Sequence, residues 1–252
     1  MVRGARRACI LVFAASALGA VLVAAPGAQH GAEPASGVVR GEVTVLRKRL
    51  FGGMAPADDA RDVIVYVTGF ERRPVRGAGP RSAAPGNADE PRLSQRDEQF
   101  EPRILPLVAG QTVSFPNHDR IYHNVFSVSP IHPFDLGQYR STDPPRREAF
   151  GRPGLVPVYC NIHPRMIAYL VVLENDAYQV TGPDGRFEIR GVPPGRHQVH
   201  AWTPGGERVT APVELGPGGE ATLSFELRAG AIPAHKRKDG SDYPRPGLEA
   251  ER

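Results

Sequence analysis

The chain has 252 residues with 31 Lys and Arg against 27 Asp and Glu, a length that allows two modest domains. Its charge excess is small and sits at the N-terminus, so the composition gives no case for a nucleic-acid partner. Gly and Pro (28 and 26) lie scattered between short apolar runs without long helical periodicity, which predicts an all-β chain and excludes a helical one.

Residues 1–28 read as a secretory signal peptide. Arg3, Arg6 and Arg7 form a basic start, Cys9 to Ala25 is free of charge, and small residues follow around Ala25 to Ala28. An uncleaved anchor is the alternative, although the apolar run falls short of the ~20 residues of a spanning helix. The reading predicts a protein of the periplasm or extracellular space, with no membrane span after cleavage. Removing residues 1–28 leaves 28 basic against 27 acidic residues, and Cys160 as the only cysteine. A lone thiol in an oxidising compartment calls for a role, and a metal ligand supplies one.

Residues 29–37 form a lead. Strands are expected over Val38 to Leu46 and Val63 to Thr68, within a segment 38–69. Residues 71–99, rich in Arg, Pro, Gly, Ala and Asp with little that is apolar, read as a linker. Strand signals return at Phe100, and Val113 and Phe115 alternate with polar neighbours before Pro116 to His123. Residues 129–154 form a long Pro-, Gly- and Arg-rich connection.

The stretch Tyr159-Cys160-Asn161-Ile162-His163-Pro164-Arg165-Met166 places a thiol, an imidazole and a thioether three residues apart. With 8 His and 3 Met in the chain, a given Cys has His at +3 and Met at +6 by chance with a probability of roughly 0.0004. Copper cycling between its two oxidation states favours one thiolate, two imidazoles and a weak axial thioether. Cys160, His163 and Met166 supply three such ligands, and His123 is the candidate for the fourth. His118, five residues earlier, competes for that role. The alternative is a small buried cysteine with Met166 as core filler, which leaves His163 unexplained. No Cys-x-x-Cys-His, paired zinc spacing, second loop cysteine or His-flanked cysteine is present, so haem attachment, structural zinc, dinuclear copper and an oxygen-reducing cluster are not expected. A Cys-His nucleophilic pair has no other supporting feature.

Beyond this loop the chain alternates turns and strands. Thr181 to Gly185 and Pro193 to Gly195 are turns around the strand Arg186 to Val192, and Arg196 to Trp202 follows. Val213 and Leu215 then face Leu223, Phe225 and Leu227 across a Gly-rich hairpin. Residues 229–252, with mixed charges and almost nothing apolar, are expected to be disordered. His132, His197, His200 and His235 read as surface or strand residues.

Two resemblances sharpen these readings. The run Phe100-x-Pro102, Gly110-x-x-Val113-x-Phe115-x-Asn117, His123-Asn124 and Tyr159-Cys160-x-x-His163-x-x-Met166 resembles the cupredoxins over residues 100–174. Its short ligand loop is similar to that of the amicyanins, and the ordering resembles periplasmic methylamine-utilisation or cupredoxin-like proteins. The resemblance implies a Greek-key sandwich holding one copper on His123, Cys160, His163 and Met166. It also implies that the side chain of Asn124 ties the two ligand-bearing loops together. Separately, Asp184-Gly185-Arg186-Phe187 through Ala201-Trp202 resembles carboxypeptidase regulatory-like domains, small transthyretin-like sandwiches. Their usual first strands match Gly37 to Val45 and Asp62 to Val67, so the copper segment is expected to be inserted into a split sandwich formed by 38–69 and 178–228.

The expected function is electron transfer by a mononuclear blue-copper protein, with a periplasmic cytochrome or dehydrogenase as partner. Copper binding and handling without rapid electron exchange, or a non-redox scaffold, are the alternatives. No carboxylate pair, phosphate loop or Ser-His-Asp pattern stands out, so no enzymatic activity is expected.

Overall fold

The computed structural model describes residues 35–50, 52–71 and 90–244. Every regular element in these residues is a strand. The proposed signal peptide, residues 1–28, and residues 72–89 of the expected linker lie outside the described residues. Among the described residues no helix is long and apolar enough to cross a membrane.

In chain order, β1 (Gly37–Lys48), β2 (Met54–Pro56) and β3 (Ile64–Thr68) come first. Next are β4 (Ser94–Arg96), β5 (Gln99–Glu101), β6 (Ile104–Val108), β7 (Gln111–Phe115), β8 (His123–Ser127) and β9 (Phe134–Tyr139). They are followed by β10 (Arg146–Phe150), β11 (Gly154–Cys160), β12 (Ile167–Leu173), β13 (Tyr178–Val180) and β14 (Arg186–Val192). The last three are β15 (Gly195–Trp202), β16 (Val209–Leu215) and β17 (Glu220–Ala229).

The outer strands of the sequence build one sandwich. In one sheet β1 lies between β14 and β17, with β2 along its end; in the other the order is β13-β3-β15-β16. Alternation sets the inner face: Val39, Val43 and Val45 of β1 are buried while Glu42 and Thr44 are not. They meet Val65 and Val67 of β3, Phe187 and Ile189 of β14, Val199 of β15, and Phe225 and Leu227 of β17 in one core. Gly41 is required by a close approach, because a Cβ there would stand 1.7 Å from the Leu223 carbonyl oxygen and 2.9 Å from the Phe187 ring. The strands β4 to β12 stand in the chain between β3 and β13, which are themselves hydrogen-bonded neighbours with Tyr66 opposite Tyr178.

The middle strands build a second sandwich. Its larger sheet has the order β6-β12-β11-β8-β9, and β7 pairs with β10 on the opposite side. Leu105, Leu107, Phe115, Val125, Val158 and Leu170 are among the residues that fill the space between them. The back of the larger sheet is covered as well: Ile104, Val171 and Leu173 pack on Ile64 and Tyr66, and the Tyr169 ring meets Trp202 edge-on at 5.3 Å. Burial on both faces explains why Ala168 to Leu173 is an unbroken apolar run with no alternation.

Three sequence expectations change here. Residues 90–99, assigned to the linker 71–99, belong to the second sandwich. β4 runs beside β7 through bridges at Arg92 to Ser114 and Gln95 to Asn117, Leu93 is fully buried, and the buried Gln95 amide donates to the Tyr139 hydroxyl. Only one apolar side chain anchors this strand, so hydropathy does not reveal it. The connection 129–154 contains β9 and β10, edge strands whose polar, at most partly buried residues dilute the apolar signal of the buried Tyr139 and Phe150. The tail expected to be disordered from 229 onward completes β17 at Ala229, and residues 230–244 then lie hydrogen-bonded against the second sandwich.

Candidate metal centre

The centre forms where β8 begins and β11 ends. β8 and β11 pair antiparallel, with Cys160 opposite Val125 and Tyr159 opposite Phe126, so the two ligand-bearing segments share one end of a sheet. The Asn161 amide donates to the Asn124 carbonyl at 2.9 Å and continues this pairing past the last residue of β11. The loop between β11 and β12 closes on itself through Met166 N to His163 O at 3.2 Å and Cys160 N to Met166 O at 3.3 Å.

His123 Nδ1 and His163 Nδ1 stand 3.0 Å apart, and Cys160 Sγ lies 3.7 Å from the first and 3.6 Å from the second. Metal–nitrogen bonds of about 2.0–2.1 Å and metal–sulfur bonds of about 2.3 Å place donors to one ion roughly 3–4 Å from each other. All three distances fit one small ion. Among the described residues these three form the one such group of His, Cys and acidic side chains. Cys160 and His123 are fully buried, whereas His163 is partly exposed. Met166 is buried in the same apolar cluster as Cys160. His118 is exposed and takes no part, its backbone amide being bonded to Gln95 O.

The orientation of His123 is set from behind. Its Nε2 lies 2.8 Å from Asp119 Oδ2, which leaves Nδ1 facing the sulfur. Asp119 in turn accepts the backbone amides of Asp97 and Glu98 at 2.8 and 3.1 Å. The Asn117 side chain braces the turn, accepting from Asp119 N and donating to the carbonyls of Ile121 and Tyr139. Asp119 was not singled out in the sequence. Its position four residues before His123, two after a turn-forming Asn, is the signal that marks it.

Electrostatics favour a thiolate. Burial pushes the Cys160 thiol up, but hydrogen bonds from His123 and from the backbone amides of Asn124, Ile162 and His163 outweigh it and hold the thiol below its ordinary value. Burial likewise disfavours charge on His123, yet Cys160 and Asp119 on either side raise its pKa above the ordinary value. His163 is lowered, first by burial and then by the neighbouring His123 charge, which keeps its ring neutral and available as a ligand. Asp119 is held below its usual range, burial being overcome by His123 and the two amides.

Asn124 plays a different part from the one expected. Its side-chain amide donates to Asp135 Oδ1 at 2.6 Å, and the tie between the ligand-bearing loops runs through its backbone carbonyl to Asn161. Neither this carboxylate nor Lys238, which binds its other oxygen at 2.6 Å, carried a sequence signal.

Comparisons with known proteins touch each half of the molecule. Residues 168–228 match the carboxypeptidase regulatory-like domain, a stretch that begins within β12 and leaves out β1 and β3. No curated protein sequence matches the chain. Among solved structures, amicyanin from Paracoccus versutus is 22% identical, with 43% of this chain and 98% of that one covered at a TM-score of 0.33. A purple cupredoxin from Nitrosopumilus maritimus is 21% identical over 33% of this chain and 100% of its own, at 0.30. A copper-containing nitrite reductase from Thermus scotoductus is 23% identical over 40% of this chain and 27% of its own, at 0.33. The protein is thus an all-β chain that carries a carboxypeptidase regulatory-like match at residues 168–228 and counts cupredoxins among its structural neighbours.

Proposed function

We propose that this protein is an extracytoplasmic mononuclear copper protein that transfers electrons, with His123, Cys160 and His163 as the residues that would hold the metal and Met166 as a thioether ligand. The observation that carries this reading is the convergence of one thiol sulfur and two imidazole Nδ1 atoms within 3.0–3.7 Å where β8 begins and β11 ends. Bound copper would supply a one-electron couple. The residues around it supply rigidity: Asp119 fixes the His123 ring, the Asn161 to Asn124 bond fixes the spacing of the loops, and the backbone amides favour the thiolate. His163 offers the partly exposed edge for electron exchange with a periplasmic cytochrome or dehydrogenase. Ile162 beside it is 37% exposed, and Ile121 and Tyr122 beside His123 are 43% and 46% exposed, giving apolar contact surface near the ligands. The N-terminal basic and apolar stretch supports export to the periplasm.

The test is to add one equivalent of Cu(II) to purified residues 29–252 and record visible absorption and electron paramagnetic resonance. An intense thiolate-to-copper band with narrow hyperfine splitting supports the reading, and a colourless complex overturns it. Fast oxidation of the reduced protein by a periplasmic cytochrome supports the carrier role, while very slow exchange reassigns the site to copper handling.

A further inference from the structure

β17 completes the first sandwich at Ala229, but the chain does not leave the molecule there. Residues 230–244 cross to the second sandwich and contact both ligand-bearing segments. On the cysteine side three consecutive residues are held. The His235 ring stacks on Tyr159 at 4.4 Å with an interplanar angle of 26°, the Tyr243 hydroxyl donates to the Cys160 carbonyl, and the Lys238 amide donates to Asn161 Oδ1 at 2.9 Å. On the histidine side the Lys238 ammonium binds Asp135, whose other carboxylate oxygen accepts the Asn124 amide. The segment is also ordered within itself. Arg237 N bonds Ser241 O at 3.0 Å, Gly240 N bonds Arg237 O at 2.9 Å, and the Tyr243 hydroxyl lies 3.2 Å from His235 Nδ1.

The location of these contacts gives them their meaning. Cys160 is the last residue of β11, and a carbonyl at the end of a ladder needs a partner from elsewhere. The strap supplies it from a different sandwich. Its grip on the residues before, at and after the sulfur ligand adds to the hairpin's own hydrogen bonds, and the Lys238–Asp135–Asn124 chain joins that grip to the residue after His123. We propose that Tyr243, Lys238 and His235 are positioning residues of the metal centre, and that the strap 230–244 fixes the Cys160 loop against β8. The proposal rests on the reading of Cys160 as a copper ligand, and it also makes a claim about the metal-free loop that copper does not enter.

The experiment compares the full chain with Tyr243→Phe, Lys238→Ala and a form ending at Ala229. Three quantities are read: the rate of alkylation at Cys160 in the metal-free protein by peptide mass spectrometry, the copper thiolate band, and the rate of copper release to a chelator. Circular dichroism checks the fold. The truncated form is expected to be alkylated and to release copper about 10-fold faster, with a shifted band. Tyr243→Phe keeps the covering ring and removes only the hydroxyl, so an increase of about 5-fold in both rates, the worth of one hydrogen bond, separates positioning from shielding. Unchanged rates and an unchanged band in the two point variants overturn the proposal, whether or not the truncated form folds. A full chain without a thiolate band but with faster alkylation in the variants would overturn the copper reading and keep the strap's hold on the loop.

Discussion

The two sandwiches use their interiors differently. The first buries mainly Val, Ile, Phe and Leu, its buried polar side chains Asn175, Thr181, His197 and Thr203 each bonding a backbone carbonyl, and its strands come as close as Gly41 permits. The second has an equally apolar centre but buries His123, Asn124, Gln95, Asn117 and Asn161 toward the metal end, each hydrogen-bonded, the Gln95 side chain through its amide nitrogen alone. Buried polar groups stabilise little beyond their desolvation cost when paired, and destabilise strongly when a partner is lost. The first interior therefore holds the fold, and the second gives up some of that economy to prearrange donor atoms.

The harshest way to break the comparison is to remove residues 178–228 while keeping 38–69. β1 and β3 then lose the strands beside them, and the back of the β6-β12-β11 sheet loses part of its cover. An insoluble product is expected on expression and gel filtration; a well-folded monomer would mean that the second sandwich stands without the first. Cys160→Ser should abolish the thiolate-to-copper band while circular dichroism stays unchanged, and retention of full colour would show that the sulfur is not a ligand.

Two milder substitutions sharpen the contrast by acting on one function each. Gly41→Ala drives a methyl into the Leu223 carbonyl and should cost about 3 kcal/mol in denaturant unfolding, with the copper spectrum intact. Asp119→Asn should do the reverse, weakening copper binding about 10- to 100-fold in chelator competition while the metal-free protein unfolds at nearly the same denaturant concentration. If both variants lost stability and copper together, the division between the interiors would fail.

The smallest effect concerns acid. Burial opposes ionisation of Asp135, but hydrogen bonds from Lys238, Asn124 and the Gly137 amide hold its pKa below the ordinary 3.8. A depressed folded value contributes stability in full above the unfolded pKa, and that contribution disappears as pH falls through the folded one. The pair is well exposed, so the effect should stay below about 1 kcal/mol. Hydrogen exchange at the Lys238 amide, followed from pH 5 down to pH 3, should show the strap loosening only below about pH 4.

Much of the architecture was legible because it rests on alternation and turn chemistry. The scattered Gly and Pro, the alternating Val113 and Phe115, and the Asp184-Gly185 turn point to β structure directly. The cysteine loop carried its own signal, since three of its residue types recur at one interval. What stayed hidden depends on polar contacts between residues distant in sequence. The tail binds through one ring stack and a few hydrogen bonds, and its composition has the charge and low hydropathy of a disordered segment. β4 is anchored by a single buried apolar side chain, Leu93, immediately before it. The Asn124 side chain went to Asp135, a choice fixed by how β8 meets β9 and invisible to a motif.

The cluster joining Ile64 and Tyr66 to Ile104, Val171 and Leu173 leaves the two sandwiches no independent edge at that seam. β12, preceded by the loop that carries His163 and Met166, buries its other face on the sheet of β3. Heating should accordingly give one calorimetric transition for the whole assembly. Metal bound at the far end of the second sandwich should raise the melting temperature of the first along with it, since binding energy is shared by everything that unfolds together.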